Sequence, residues 1–352
     1  MTAGTEDAFD DGALPGVSYV MPVLNEAQYI EAAVGSILAQ SYPGPTEIVL
    51  ALGPSTDGTD EIVERLHERD PRIRAVHNPQ AHIPHGLNLA IRDSRHPVIV
   101  RVDAHTELPA DYTLRAVRTM LRTGAANVGG IMAAVGRPGV QAAAARAYNS
   151  PLGLGGGAYH SADVQAGPAE SAYLGVMRAE ALAEIGGYDE SVRRGEDWEL
   201  NHRMRAAGHL VWLDPELKVN YWPRRTLAAL ARQFYSTGVW RGELVRRLRR
   251  DNPVRFFAPP ALVLATALSL VLPPLWGAGL LPDWWGLFAL VAAAPIAYLI
   301  LLAVIALAGG GSAGDRARYA AVLATMHFAW GTGFVRGAAR GARDAVDTSR
   351  HP

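Results

Sequence analysis

Over its first half the chain alternates short apolar runs with segments of helical period. Val17-Ser-Tyr-Val-Met21 reads as a buried strand that ends at Pro22. Ala27–Gln40 follows, with Ile30, Val34, Ile37 and Leu38 spaced to form one face of a helix. The pattern then predicts a strand at Glu47–Leu52, a helix at Thr59–His67, a strand at Ile73–Val76, a helix at Pro84–Arg92 and a strand at Val98–Val102. Strands separated by helices predict the α/β class: a Rossmann-like, mostly parallel sheet with helices on both faces.

The second half changes character. Arg224 to Arg255 is basic, and its apolar positions Leu227, Leu230, Phe234 and Val239 interleave with arginines, as in an interfacial helix on anionic lipid. Two apolar runs follow, at 256–281 and 284–308, without a single Lys, Arg or Glu. Each exceeds the ~20 residues that cross a bilayer as a helix. Pro282-Asp283 forms a polar turn between them, and Trp276, Trp284 and Trp285 cluster there like an interfacial aromatic belt. The other reading is a soluble helical hairpin buried in protein. A third apolar segment, 319–335, carries His327 and either spans, re-enters or lies in the interface. Arginines before Phe256 and at Arg316 and Arg318 fall on one side of two spans, which the positive-inside rule assigns to the cytosol. A third span would send Arg336, Arg340 and Arg343 to the other side.

These patterns divide the chain into an acidic disordered start (1–16), a catalytic domain (17–223), a basic interfacial region (224–255), a membrane domain (256–335) and a basic tail (336–352). The acidic start has no basic and apolar signal-peptide pattern, so a cytosolic N-terminus is expected. Residues 17–253 are expected to fold without the apolar runs.

Composition narrows the chemistry. Hydrophobic residues make up 49% of the 352, which excludes intrinsic disorder. Charged residues are only 19%, in keeping with a membrane part. A net charge of −1 argues against a general nucleic-acid binder. The absence of cysteine excludes disulfides, zinc–thiolate sites and cysteine nucleophiles.

In a parallel sheet, ligands bind beyond the carboxyl ends of the strands. The loops there read Pro22-Val-Leu-Asn25-Glu26, Gly53-Pro-Ser-Thr-Asp57-Gly-Thr59 and Asp103-Ala-His105, with no dinucleotide-type GxGxxG. Asp103 and His105 leave a buried strand two residues apart, so both side chains point to one side if the chain stays extended. A carboxylate and an imidazole suit Mn²⁺ or Mg²⁺ held with substrate phosphates, and Glu107 adds a possible third oxygen. Taken alone, they also read as turn and cap residues. Arg101 either meets a sugar or phosphate or pairs with a nearby carboxylate. Glu196-Asp197 opens another predicted helix, where acidic residues also serve simply to complement the helix dipole.

In order along the chain stand Val20-Met-Pro-Val-Leu-Asn-Glu26, Ser55-Thr-Asp-Gly-Thr59, Gly86-Leu-Asn88, Arg101-Val-Asp-Ala-His105, Gly186-Gly-Tyr-Asp-Glu190, Gly195-Glu-Asp-Trp-Glu199 and Gln233-Phe-Tyr-Ser-Thr-Gly-Val-Trp-Arg241. This series resembles the inverting glycosyltransferases of family 2, with their GT-A nucleotide-sugar fold, and most of all the membrane-attached glucosyltransferases of succinoglycan assembly. The resemblance implies that Pro22, Asn25 and Glu26 line the nucleotide pocket and that Asp57 orders the second loop near the ribose or base. It implies Asp103 and His105 as metal ligands, with His105 in place of the family's second carboxylate. Asn88 and Gly86 would shape the diphosphate side, and Ala172–Arg178 with Gly187–Glu190 the acceptor side. Asp197 would be the general base and Glu196 would bind or position the acceptor. Gln233, Trp240 and Arg241 would close over the donor, with Arg241 on diphosphate and Trp240 stacked on the acceptor sugar. Where the family carries an acidic base-reading residue, this chain has Leu52 and Gly53.

The expected function is metal-dependent transfer of a sugar, glucose from a UDP-sugar, to a lipid-linked saccharide at the cytosolic face of the inner membrane, by a multi-pass protein serving exopolysaccharide or envelope glycan synthesis. Two alternatives stand beside it: a polyprenyl-phosphate sugar transferase, and a non-enzymatic nucleotide-sugar-binding scaffold.

Overall fold

The computed structural model describes residues 14–154, 164–248, 252–281 and 285–342. Residues 1–13, the Pro282-Asp283 turn with Trp284, and the tail from Arg343 onward lie outside the described residues. Two compact units divide the chain. The first is Met1–Gly130, Gln165–Ser191 and Leu200–Val219; the second is Ile131–Val164, Val192–Glu199 and Asn220–Pro352. The units interleave along the sequence, where the hydropathy pattern suggested contiguous segments.

The first seven elements are β1 (Val17–Val23), α1 (Ile30–Leu38), β2 (Thr46–Leu52), α2 (Thr59–Arg69), β3 (Ile73–His77), α3 (Ile83–Asp93) and β4 (Val98–Arg101). Then come α4 (Tyr112–Thr123), β5 (Asn127–Ala134), α5 (Val140–Tyr148), α6 (Pro151–Leu154), β6 (Gly167–Pro168), β7 (Tyr173–Arg178), α7 (Ala179–Glu184), α8 (Glu196–Ala206) and β8 (Val211–Tyr221). The strands form one sheet in the order β3-β2-β1-β4-β7-β5-β8-β6. β1 pairs in parallel with β2 and β4, and β2 with β3. β7 runs antiparallel between β4 and β5. Tyr19, Met21, Ile48, Leu50, Val98 and Val100 are buried in its core, as expected of central strands covered on both faces.

β1 does not end at Pro22; it pairs with β2 through Val23. The Val20 carbonyl accepts from Val102 N–H on the β4 side, and the register with β4 stops at Val20. Two residues on, Pro22 turns its missing N–H toward that same side, where no ladder bond is needed.

The second unit is mainly helical. α9 (Leu227–Leu248), a 3₁₀ turn (Val254–Phe257), α10 (Ala258–Gly277), α11 (Trp285–Ala308) and α12 (Ala313–Arg340) complete the chain. Among the described residues two helices are long and apolar enough to cross a membrane, Val254–Gly277 (mean hydropathy 1.9) and Leu290–Ala308 (2.7). Almost none of either is covered by protein, and Leu270, Leu290 and Leu307 are each about 70% exposed or more. Neither helix is buried in protein as the soluble-hairpin reading requires, and their length, composition and exposure suit membrane association.

α12 behaves differently. The third apolar segment, 319–335, lies within it and buries Tyr319, Val322, Leu323, Met326 and Phe334 inside the protein. It docks along α9 through glycines on both helices. A Cβ on Gly238 or Gly242 would meet the carbonyl oxygens of Trp330 and Phe334 at 2.1 and 2.2 Å, and one on Gly337 would meet that of Val239 at 1.9 Å. The amphipathic face of α9 is thus taken up by protein, in place of the lipid surface its arginine pattern suggested. Arg146 of α5 also stacks on Tyr319, 4.2 Å from the ring centroid. The fragment 17–253 would lack this cover, so it does not correspond to a self-sufficient packing unit.

Candidate active site

The loops after β1, β2 and β4 are cross-braced by side chains that the sequence reading assigned to the site. Asn25 adopts a left-handed backbone (φ 55°), a conformation asparagine tolerates better than most residues. In that pose its Oδ1 accepts from Thr56 N–H at 2.8 Å, and its own N–H donates to Ser55 Oγ at 3.1 Å. Asn25 therefore ties the first loop to the second and does not cap α1, whose N-cap is Tyr29. Glu26 N–H donates to Thr59 Oγ1 at 2.9 Å, and Ala27 N–H to Asp57 Oδ2 at 3.0 Å.

Asp57 also accepts from both the hydroxyl (2.5 Å) and the N–H (3.1 Å) of Thr59, the first residue of α2. The Thr59 hydroxyl foremost, with the backbone N–H groups, holds its carboxyl below the usual carboxylate range. Gly53 is buried, and its N–H donates to Val23 O at 2.8 Å. A Cβ there would lie 3.0 Å from Leu24, so the position has little room for a side chain.

At the end of β4, Asp103, His105 and Glu107 are accessible while Val102, Ala104, Thr106 and Leu108 are buried. Thr106 N–H closes a turn onto Asp103 O at 2.9 Å, so the segment is not extended as its spacing suggested. Arg101, 5% exposed, pairs with Asp103 Oδ1 at 3.2 Å. Of its two readings, the ion pair with a neighbouring carboxylate is the one present. His105 Nδ1 lies 3.2 Å from Glu26 Oε1, joining the third loop to the first.

Among the described residues no group of three or more His, Asp or Glu side chains is gathered to hold a metal. Glu107 is thus not brought to Asp103 and His105, because the turn redirects the chain between them. A carboxylate and an imidazole backed by a second carboxylate still match an open Mn²⁺ or Mg²⁺ site that takes its remaining ligands from substrate oxygens.

Asn88 has a different job from the one expected. It is buried, accepts from Tyr188 N–H and donates to Tyr188 O and Glu190 Oε1, each at 2.9 Å. These three bonds hold the Gly186–Glu190 loop, where Gly187 (φ +71°) has no room for a side chain beside Asn88. The Asn88 amide foremost, with His85, keeps the Glu190 carboxyl below its ordinary range. Arg203 adds bonds to the carbonyls of Ile185 and Gly187 at 2.7 and 2.8 Å. The sequence reading missed His85; only the chain's path around this loop reveals it. Residues 173–178 are strand β7 inside the sheet, with Leu174–Met177 buried.

In the second unit, Glu196 and Asp197 begin α8 after Gly195 (φ +79°), with Glu196 buried and Asp197 half-buried. Trp198 is 5% exposed and packs with Val192 and Leu244. Arg241 sits between the Trp198 and Phe256 rings, 4.4 and 4.3 Å from their centroids. Trp240 is 2% exposed and packs with Val239 and Ala342, so in this structure it offers no ring to an acceptor sugar. Gln233 Nε2 donates to Tyr221 OH at 2.8 Å, and its backbone carbonyl accepts from Arg194 at 3.1 Å.

Comparison with known proteins adds an independent line. The "Glycosyl transferase family 2" profile matches residues 18–184. The chain is 35% identical over 320 residues to "Succinoglycan biosynthesis protein ExoA" of Rhizobium meliloti, covering 90% of this chain and 93% of that protein. It is 22% identical over 240 residues (66% and 74%) to "Dolichyl N-acetyl-alpha-D-glucosaminyl phosphate 3-beta-D-2,3-diacetamido-2,3-dideoxy-beta-D-glucuronosyltransferase" of Methanococcus voltae. Among solved structures, mannosyltransferase PcManGT of Pyrobaculum calidifontis, in complex with GDP-Man and Mn²⁺, superposes with a TM-score of 0.56 at 22% identity, covering 93% and 88% of the two chains. That likeness shows the GT-A fold. With the ordered motifs, this sheet and an identity of 35% sustained across nearly all of both chains, the protein belongs to glycosyltransferase family 2 and is a glycosyltransferase.

Proposed function

We propose that this enzyme is an inverting, metal-dependent glycosyltransferase that moves glucose from UDP-glucose onto a lipid-linked saccharide at the cytosolic face of the inner membrane. The observation that carries the reading is the braced shelf of three strand-exit loops, in which Asn25, Asp57, Glu26 and His105 are linked through named hydrogen bonds. Such a shelf at the carboxyl ends of parallel strands suits a nucleotide and its phosphates. Asp103 and His105 would hold Mn²⁺ or Mg²⁺, which when bound supplies positive charge against the departing nucleoside diphosphate. Asp197 accepts the proton of the acceptor hydroxyl as that oxygen attacks the anomeric carbon, and Glu196 orients the acceptor. Pro22 lines the nucleotide pocket, and Arg101, paired with Asp103 at 3.2 Å, aims that carboxylate. Support for a lipid-carried acceptor comes from the two exposed apolar helices and from the dolichyl-linked substrate in the name of the M. voltae relative.

The test is to incubate purified full-length protein with Mn²⁺, labelled UDP- and GDP-sugars and native membrane lipids, and to identify the product by mass spectrometry. Labelled hexose on a lipid-linked saccharide is the expected result. Label on bare polyprenyl phosphate would replace the acceptor, label from GDP-sugar alone would replace the donor, and donor binding without transfer or hydrolysis would leave a scaffold.

A further inference from the structure

The glutamate behind His105 has a specific geometry. The backbone of Glu26 is clamped on both sides. Its own N–H donates to Thr59 Oγ1, and the neighbouring Asn25 and Ala27 are bonded to the second loop. The side chain, 21% exposed, reaches out of this clamp to the ring of His105, which is 52% exposed. On the other side, the turn from Asp103 O to Thr106 N–H and the Arg101–Asp103 pair fix the backbone that carries the imidazole. Glu26 Oε1 therefore meets Nδ1 at 3.2 Å from a fixed direction.

We propose that Glu26 is the positioning residue of His105. Its carboxylate holds the proton on Nδ1, so Nε2 carries the lone pair that a divalent cation needs. A carboxylate on the far ring nitrogen orients the imidazole and raises its basicity as a ligand. It also answers a question of charge. An imidazole brings no negative charge to a site whose one carboxylate, Asp103, is already shared with Arg101. Glu26 supplies the second negative charge through the ring from the first loop, so ligand and charge come from different strands. The inference rests on Asp103 and His105 being the metal ligands, and the experiment separates the two ideas.

Full-length protein is titrated with Mn²⁺ alone, and free Mn²⁺ is read by electron paramagnetic resonance. Asp103→Ala and His105→Ala should lose binding. Glu26→Ala should weaken it by about 10–100-fold, with Glu26→Gln between it and the parent. In the His105→Ala background, Glu26→Ala should change nothing further. In a His105→Asp background there is no ring nitrogen for Glu26 to hold, so Glu26→Gln should change Mn²⁺ binding less than it does with His105 present. Histidine-selective ¹⁵N spectra of the metal-free protein should show one Nδ1–H tautomer that is lost in Glu26→Ala and missing in His105→Ala.

If Asp103→Ala and His105→Ala bind Mn²⁺ normally, the metal site itself fails. If they lose it while Glu26→Ala and Glu26→Gln bind like the parent, only the positioning role fails. An equal loss from Glu26→Ala with or without His105 would make Glu26 an independent ligand and overturn the proposal. Should Glu26→Ala not fold, the isosteric Glu26→Gln decides the matter: an effect that shrinks without the His105 ring supports positioning, and an equal effect with and without it overturns the proposal.

Discussion

Asp57 shows how much a single exposed side chain can organise when its oxygens meet hydroxyl and N–H donors on two loops. Its folded-state pKa lies below that of an unfolded aspartate, so the stabilisation is complete above the unfolded pKa of about 3.9 and vanishes as pH falls through the lower folded value. Asp57→Asn should therefore unfold more easily than the parent at neutral pH, and the gap should close below about pH 4, as thermal melts across pH would show. Asn88→Ala should cost about 1–3 kcal/mol in denaturant unfolding, because it strands the buried N–H and carbonyl of Tyr188. The proposed base makes a different prediction. Asp197→Asn keeps size and hydrogen bonding but cannot take a proton, so donor binding should persist while turnover falls by ~10²–10⁴-fold. Normal turnover in that variant, with loss in Glu196→Gln, would exchange the two roles.

At the scale of elements, glycines with opposite surroundings give opposite expectations. Gly35 lies inside α1 with nothing within 4 Å of a Cβ, so Gly35→Ala should stabilise by about 0.5–1 kcal/mol through helix propensity. Gly337→Ala drives a methyl into the Val239 carbonyl and should destabilise the α9–α12 contact by about 1–3 kcal/mol or more. Both are read as shifts in thermal unfolding of detergent-solubilised protein; shifts of the same sign would mean that the glycine seam is not what holds the two helices. The apolar run 319–335 signalled a face withdrawn from water. Whether that face would meet lipid or protein depended on α9, whose own glycines leave a groove of matching depth.

For the whole molecule, the membrane part and the packed helical part cannot be separated by a cut after Pro253. Such a cut removes α10 and α11, which face outward, but also α12, which covers Val239 and Trp240. Burial of side chains of this size contributes about 1.5–3 kcal/mol each. The fragment 17–253 should bind a hydrophobic dye and melt without a sharp transition, whereas full-length protein melts cooperatively. A cooperative melt of the fragment matching the parent would show that α12 is dispensable.

Alternation of apolar runs with helical-period segments was enough to determine the α/β sheet from β1 to β4, because local period and strand burial are written residue by residue. The two long apolar helices were equally legible, since length and the absence of charge are written residue by residue. Asp103 and His105 stood out because a strand exit and a two-residue spacing are local. The partners were not local. Glu26 meets His105 across 79 positions, Asn88 meets Tyr188 across 100, and Arg241 lies between Trp198 and Phe256. Pairings of that range depend on which strand exits lie side by side and which helices dock, and no periodicity encodes this. Tertiary structure therefore decided that Asn88 is a clamp, that Trp240 is core, that β1 runs past its proline and that α12 belongs with α9.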